Sequence, residues 1–263
     1  MLAYLISKAE KMSKKFIRPR VVVGVPTGIT NVEIRAVYDA AKSAGAREVH
    51  IVEEPMAAAV GIRLPVKEAV GTVIVDIGGG TTDVAVISLS GVVRSKNLKI
   101  AGDVLNTDIM NYMKDEFKLL IGEKTAENVK IAIGSVAEGV PMEAEVRGRD
   151  MVTGLPRQVI VTDSDIREAI MPSIISLVDG IKEVLETTPP ELLSDIIHRG
   201  LIITGGGALL RGLDTLIQSA IKIPIYVAED PLTAVARGTG VILDDFDNYE
   251  EVLVHTDDIS VPR

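Results

Sequence analysis

The sequence predicts an α/β protein, and three observations carry that prediction. Apolar strands alternate with helical patterns over the first quarter of the chain, the signature of a parallel sheet covered by helices. The stretch VIVDIGGGTTDVAVI, Val73 to Ile87, then sets two apolar strands on either side of a glycine run. A third stretch, GLIITGGGALLRG from Gly200 to Gly212, uses strand and glycines again, this time before a helix.

The elements follow in order. MLAYLISKAEKMSKKF carries its apolar part before its positive charges, the reverse of a signal peptide, and reads as a short amphipathic helix. RVVVGVP, Arg20 to Pro26, is a buried strand. Thr30-Asn31-Val32-Glu33 fits a capping box that opens a helix through Lys42, which Gly45 stops. EVHIVEE, Glu48 to Glu54, is the next strand, and Pro55 sits where a helix starts. After Leu64-Pro65 two strands flank the glycine loop, and VVRSKNLKIAG makes a third.

Gly102 to Gly122 has apolar residues at helical spacing, and a second helix runs from Thr125 to Ile133. Glu143 to Thr162 alternates like strands around the turn Thr153-Gly154-Leu155-Pro156. Asp163 caps a long helix that ends at Thr187-Thr188-Pro189-Pro190. IPIYVAEDPLTAVARGTGVIL supplies a last strand and helix before an acidic tail.

Composition removes several function classes. A net charge of −9 argues against wrapping nucleic acid, which needs a basic surface. Three Phe, five Tyr and no Trp leave no aromatic platform for single strands. With no cysteine there is neither a disulfide framework nor a thiolate metal site, and three scattered histidines have no metal-ligand spacing. No apolar run is long enough to span a bilayer. The default location is the cytoplasm.

Four groups of residues are candidates for chemistry. Asp76, Gly78, Gly79, Gly80, Thr81 and Thr82 read as a phosphate cradle, in which backbone N–H groups reach phosphate oxygens and threonine hydroxyls add donors. Asp76 would hold water on a divalent cation, because carboxylate and phosphate repel without a metal between them. The competing reading is a glycine-rich hairpin turn. Gly205, Gly206 and Gly207 permit close approach of a ring or phosphate at a helix start, and equally serve as plain turn chemistry. Glu54 beside Pro55 either stabilises a helix start or points into a cleft as a water-orienting base. Glu127 and Lys130, three apart on a helix, are either a surface pair or contacts to ribose hydroxyls. Finally, Phe16-Ile17 among Lys14, Lys15, Arg18 and Arg20 is either a buried loop hydrophobe or an insertion point into an anionic membrane surface.

Together these residues resemble the actin-like ATPase superfamily and, within it, the MreB family of bacterial shape-determining filament proteins. DIGGGTTDV resembles the superfamily's second phosphate loop, EPMAAAVG its first connecting helix, TGGGALLRG its adenosine motif and EDPLTAVARGTG its second connecting helix. RPRVVVGVPTGITNVEIRA, IGEKTAENVKIAIG, TGLPR, TPPELLSDIIHRG and RGLDTL are specific to the MreB family, and the resemblance covers essentially the whole chain. It implies a ribonuclease-H-like fold: residues 1–68 as part of a first lobe with 238–263 packing back on it, and 69–237 as a second lobe with 104–165 as its small inserted subdomain. It also implies ATP and Mg2+ in a cleft between the lobes. Glu54 then orients water and Thr81 lies near the terminal phosphate. Asp76 acts on the metal through water, and Gly205 to Gly207 with Leu209 line the adenosine side. Glu127 and Lys130 contact ribose and adenine, and Phe16-Ile17 inserts into the inner membrane.

The resemblance further implies homopolymer protofilaments, membrane morphogenesis proteins as partners and a role in cell shape. Family members carry an Asp-x-Gly-Thr first phosphate loop and a small first-lobe subdomain that this sequence does not contain. The first lobe is therefore expected to be incomplete at its N-terminus, with a sheet edge exposed and with ATP binding and slow hydrolysis weakened. Either the filament role persists, with a true start upstream of Met1, or the chain is a non-catalytic remnant acting as an interaction or filament-capping module. A sugar or acetate kinase lacks an acceptor-substrate segment here. A dinucleotide-binding dehydrogenase needs a helix where the residues after Gly80 read as a strand.

Overall fold

The structure is a computed structural model that describes residues 3–6, 8 and 18–254. Phe16 and Ile17, the expected membrane residues, lie outside the described residues.

Three sheets organise the chain. Strands β1 (Arg20–Val25) and β2 (Glu48–Glu53) pair in parallel, joined by helix α1 (Asn31–Ser43). The capping box at the start of α1 is present: Thr30 Oγ1 accepts from Glu33 N, and the Glu33 carboxylate accepts from Thr30 N. Helix α2 (Glu54–Gly61) follows β2 directly, with Pro55 in its first turn, where a missing N–H costs nothing.

The central sheet has five strands in the order β10-β9-β3-β4-β5. Strands β3 (Thr72–Ile77), β4 (Thr82–Ser88) and β5 (Gly91–Leu98) form an antiparallel meander. Strand β9 (Leu201–Thr204) joins β3 in parallel and β10 (Ile225–Val227) extends that edge. Alternation divides β3 and β4 between two cores. Val73, Val75, Ile77, Val84 and Val86 face the larger one, and Ile74, Ala85 and Ile87 face the smaller. Both faces are covered, so every residue of β3 and β4 is buried and neither strand shows a solvent side.

The larger core is filled by helices α3 (Gly102–Asp115), α4 (Glu123–Ile133) and α5 (Asp163–Glu186), with α6 (Pro190–Arg199) and α7 (Leu213–Ile221) beside them. A small antiparallel sheet, β6 (Leu119–Leu120), β7 (Glu143–Asp150) and β8 (Pro156–Thr162), packs on the same cluster. The expected helix Gly102 to Gly122 therefore stops at Asp115. Lys118, at φ 53, turns the chain so that Leu119-Leu120 can pair with β7. The helix expected from Thr125 starts two residues earlier, at Glu123. The cap of α5 is Thr162 and not Asp163, because Thr162 Oγ1 accepts from Asp165 N in a reciprocal box.

The smaller core lies between the central sheet, α2 and helix α8 (Ala234–Asp244). The two helices cross at glycines: a Cβ on Gly61 would stand 2.1 Å from Ala234 O, and one on Gly238 1.7 Å from Ala57 O. Such contact between backbones leaves room for no side chain. After α8 the chain passes through α9 (Phe246–Tyr249), and Val254 N donates to Ile51 O of β2.

Candidate functional site

The site forms where β3, β4 and β9 end against α2, α3 and α4. The loop Gly78 to Thr81 is closed by Gly78 N donating to Thr81 O at 2.9 Å. Gly79 and Gly80 are exposed, and among the described residues their N–H groups make no hydrogen bond within the chain. The first turn of α3 holds the loop from the other side, through Gly102 N to Gly78 O (3.1 Å) and Asp103 N to Gly79 O (2.8 Å).

The second glycine turn packs directly on the first. Gly205 has φ +79, and a Cβ there would lie 2.4 Å from Ile77 O and 2.5 Å from Asp76 Oδ1. A Cβ on Gly207 would lie 2.2 Å from Ile77 Cγ2. These two glycines thus let β9 turn across the end of β3, while Gly206 meets only Leu232.

Between the turns lies a cavity of about 480 Å³, a size that suits a small-molecule ligand. Gly78 and Gly79 line it from one turn and Gly206, Gly207 and Leu209 from the other, with Glu127 and Lys130 on α4. Lys130 Nζ donates to Gly102 O at 2.8 Å, so the ammonium is held at the first turn of α3. Burial lowers its pKa, with Glu127 and then Asp103 opposing that shift. Glu127 makes its ion pair with Lys124 at 2.7 Å and not with Lys130. Asn106 also lines the cavity. It is 4% exposed, and its Oδ1 has no hydrogen-bond partner among the described residues.

A second group, at the ends of β2, β3 and β4, is acidic. Asp76 and Asp83 face each other in register across the hairpin. Asp83 is compensated: Oδ1 accepts from Thr27 N (2.8 Å), Thr27 Oγ1 (2.6 Å) and Asn97 Nδ2 (3.0 Å). Among the described residues Asp76 has no such donors, and burial followed by the Asp83 charge raises its pKa to about 6. Glu54 is raised to about 7 by burial first, then by Asp83 and Asp76. Glu53 is raised by burial and by Asp83.

The sequence-predicted residues thus divide. Gly78, Gly79, Gly206, Gly207, Leu209, Glu127 and Lys130 meet around one cavity; Glu54 and Asp76 share the acidic group beside it. Thr81 is half-buried, and its hydroxyl has no partner among the described residues. Thr82 corrects an expectation. It is fully buried and its hydroxyl donates to Ile100 O at 2.6 Å, so it is spent inside the fold and no longer a free phosphate donor. Gly205 and Gly80 lie outside the lining, Gly205 serving the contact with Asp76.

Asp83, Asn106 and Asp103 escaped the sequence reading. A signal for Asp83 existed: a four-residue loop from Gly78 to Thr81 pairs Ile77 with Thr82 and therefore Asp76 with Asp83, on one face. Asn106 and Asp103 carried no such signal, since only the docking of α3 against the loop brings them to the cavity.

These residues suit a nucleotide with a divalent cation. Free loop N–H groups match phosphate oxygens, the Glu127 carboxylate and Lys130 ammonium suit sugar hydroxyls, and the orphaned Asn106 Oδ1 calls for a donor from a ligand. Asp76 is buried and Glu54 half-buried beside Asp83, and their hard oxygens suit Mg2+. Among the described residues no three acidic or histidine side chains form a direct metal cage.

Comparison with known proteins agrees with this geometry. A family model for "MreB/Mbl protein" matches residues 1–251. The chain is 48% identical to the cell shape-determining protein Mbl of Bacillus subtilis (strain 168) over 248 residues, 94% of this chain and 74% of that protein. It is similar to the crystal structure of MreB5 of Spiroplasma citri bound to ADP, with TM-score 0.89 and 35% identity, covering 95% of this chain and 75% of that one. It shares the fold of the MamK double helical filament, at TM-score 0.78 and 21% identity over 92% of this chain and 73% of that one. With the family model spanning nearly the whole chain and a relative 48% identical over 94% of it, this protein belongs to the MreB/Mbl family of actin-like proteins.

Proposed function

We propose that this chain binds ATP with Mg2+ in the cavity between the two glycine turns and polymerises with itself. In this reading it lies on the anionic inner face of the cytoplasmic membrane with membrane morphogenesis proteins, and maintains cell shape by organising cell-wall synthesis. The observation that carries nucleotide binding is the cavity itself, where Gly78, Gly79, Gly206, Gly207 and Lys130 converge beside unpaired carboxylates. The cell shape-determining name of the relative Mbl and the ADP bound to MreB5 support it. The filament formed by MamK, which shares only the fold, is consistent with self-association.

Each residue then has a task. The N–H groups of Gly79 and Gly80 and the Thr81 hydroxyl donate to phosphate oxygens. Gly206, Gly207 and Leu209 form one wall of the nucleoside pocket, and Glu127 and Lys130 the other. Asp76 would hold a Mg2+ through water, and that ion would supply positive charge against the phosphates. Glu54, with a pKa near 7, is ionised in part at neutral pH, and its carboxylate accepts the proton of a water it orients.

Titration calorimetry with Mg-ATP and Mg-ADP tests the reading, with thermal melts alongside. Saturable heat and a rise in Tm are expected, and Lys130→Ala should weaken binding by about tenfold. Absence of both heat and Tm shift would leave the chain as an interaction or filament-capping module.

A further inference from the structure

The loop between β10 and α8 has a backbone shape that must be held from outside. Asp230 stands at φ +46, a left-handed conformation that aspartate tolerates better than most side chains but does not favour. The chain then makes one 3-10 turn, Pro231–Thr233, and enters α8. That turn is tied to the second glycine turn, because Pro231 O accepts from Gly205 N at 3.1 Å and from Thr204 Oγ1 at 3.2 Å. Leu232 is thereby laid along the cavity wall: it is 68% exposed, and a Cβ on Gly206 would stand 3.3 Å from its Cδ2.

One side chain holds this loop. In the first turn of α8, Arg237 Nη2 donates to Glu229 O at 2.8 Å, and Nη1 donates to Asp230 O at 3.1 Å. Nη1 also meets Asp230 Oδ2 at 3.0 Å and Thr233 Oγ1 at 2.7 Å, and the Thr233 hydroxyl donates in turn to the Asp230 carboxylate. Nε reaches back to Gly61 O of α2 at 3.4 Å. The Arg237 and Asp230 side chains are both substantially exposed, so their opposite charges contribute little by themselves. What arginine supplies is a planar fork of donors that grips the carbonyls on either side of the left-handed residue. Lysine, a point charge on a flexible stem, cannot grip both.

We propose that Arg237 is a positioning residue for the nucleotide site: by locking residues 229–233 it holds Leu232 beside the Gly206 turn, where that side chain covers the nucleoside. The proposal rests on the nucleotide reading above and adds to it a residue that does not line the cavity. Arg237 therefore acts on affinity only through Leu232. Freed from the fork, Asp230 relaxes toward ordinary backbone angles, Pro231 O draws away from Gly205 N, and Leu232 leaves the wall. A ligand must then order the loop as it binds, and that ordering lowers its affinity.

Two measurements on the full chain test this. In titration calorimetry with Mg-ADP, Arg237→Gln and Leu232→Ala should each weaken binding by about tenfold, and the double variant should bind no more weakly than Arg237→Gln alone. Arg237→Lys keeps the charge, should lose about as much, and takes the place of Arg237→Gln if that variant does not fold. Hydrogen exchange without ligand supplies a readout that needs no binding: the Gly205 amide should exchange about tenfold faster in the Arg237 variants, with the amides of β3 unchanged. Losses that add in the double variant would overturn the proposal, since Arg237 would then reach the site by a route other than Leu232. Unchanged Gly205 exchange would overturn it as well. A parent that binds Mg-ADP with variants that bind it equally well would sink this proposal and leave the nucleotide reading standing. A parent that binds no Mg-ADP would sink both.

Discussion

Asp76 and Asp83 stand directly opposite each other on adjacent antiparallel strands, both on the face of the sheet that carries Ile74 and Ala85. Like charges so placed are destabilising, and the fold answers the problem on one side only. Thr27 and Asn97 surround Asp83 with donors, while Asp76 is left to rise to about 6 and Glu54 nearby to about 7. The arrangement leaves two raised carboxyls side by side at the ends of β2 and β3.

A pH dependence follows. Both acids ionise in the unfolded chain near their ordinary values, 3.8 and 4.5, but hold protons to higher pH when folded. Stability that is complete below those values is therefore lost as pH rises toward 7. His50, lowered mainly by burial, works in the opposite sense below its ordinary 6.5. Comparison with a variant isolates the effect: without nucleotide or Mg2+, Asp76→Asn should gain about 1–2 kcal/mol over the parent at pH 7.5 and little at pH 4, in urea melts.

Removing the compensated partner should do the reverse. Asp83→Ala strands Thr27 N, a buried donor, and frees Asn97. A loss of about 1–3 kcal/mol at pH 7 is expected, offset in part by relief of Asp76. Asp83→Asn should lose less.

Two glycines on one helix should respond oppositely. Gly238→Ala sets a Cβ 1.7 Å from Ala57 O, where neither helix can yield, so a Tm fall of several degrees is expected. Gly240, two residues on, meets nothing within 4 Å, and Gly240→Ala should stabilise by up to about 1 kcal/mol. Equal effects would mean that α2 and α8 do not cross as described.

Asn106 offers a separation of stability from binding. Its Oδ1 is buried without a partner, so Asn106→Leu should leave the ligand-free chain as stable or slightly more so. The same change should weaken Mg-ATP binding by about tenfold, as read by calorimetry, if the orphaned oxygen accepts from the nucleotide.

The strand-helix-strand-helix order of Arg20 to Gly61, the capping box at Thr30 and the glycine hairpin were legible because each is a local signal. So was the grouping of Gly78, Gly79, Gly206 and Gly207, since strand ends that carry glycine point to one edge of a parallel sheet. The split of Gly102 to Gly122 into helix and strand was hidden, because Leu119 and Leu120 suit either element until β7 offers a partner. Thr82 was misread for a related reason. Strand alternation alone does not show that its side of the sheet is covered and that Ile100 O waits there.

The sequence by itself determined the family and the fold class, through motifs whose chemistry is set by a few neighbouring positions. The tertiary structure decided which residues of those motifs remain available. Close packing of β9 on β3 consumes Gly205, and the hydrogen bond to Ile100 O consumes Thr82. The docking of α3 and α4 brings Asn106 and Lys130 to one cavity, and the pairing of β3 with β4 sets Asp76 against Asp83. Those outcomes depend on contacts between residues far apart in the chain, where burial and charge act through distance in space and no local pattern records them.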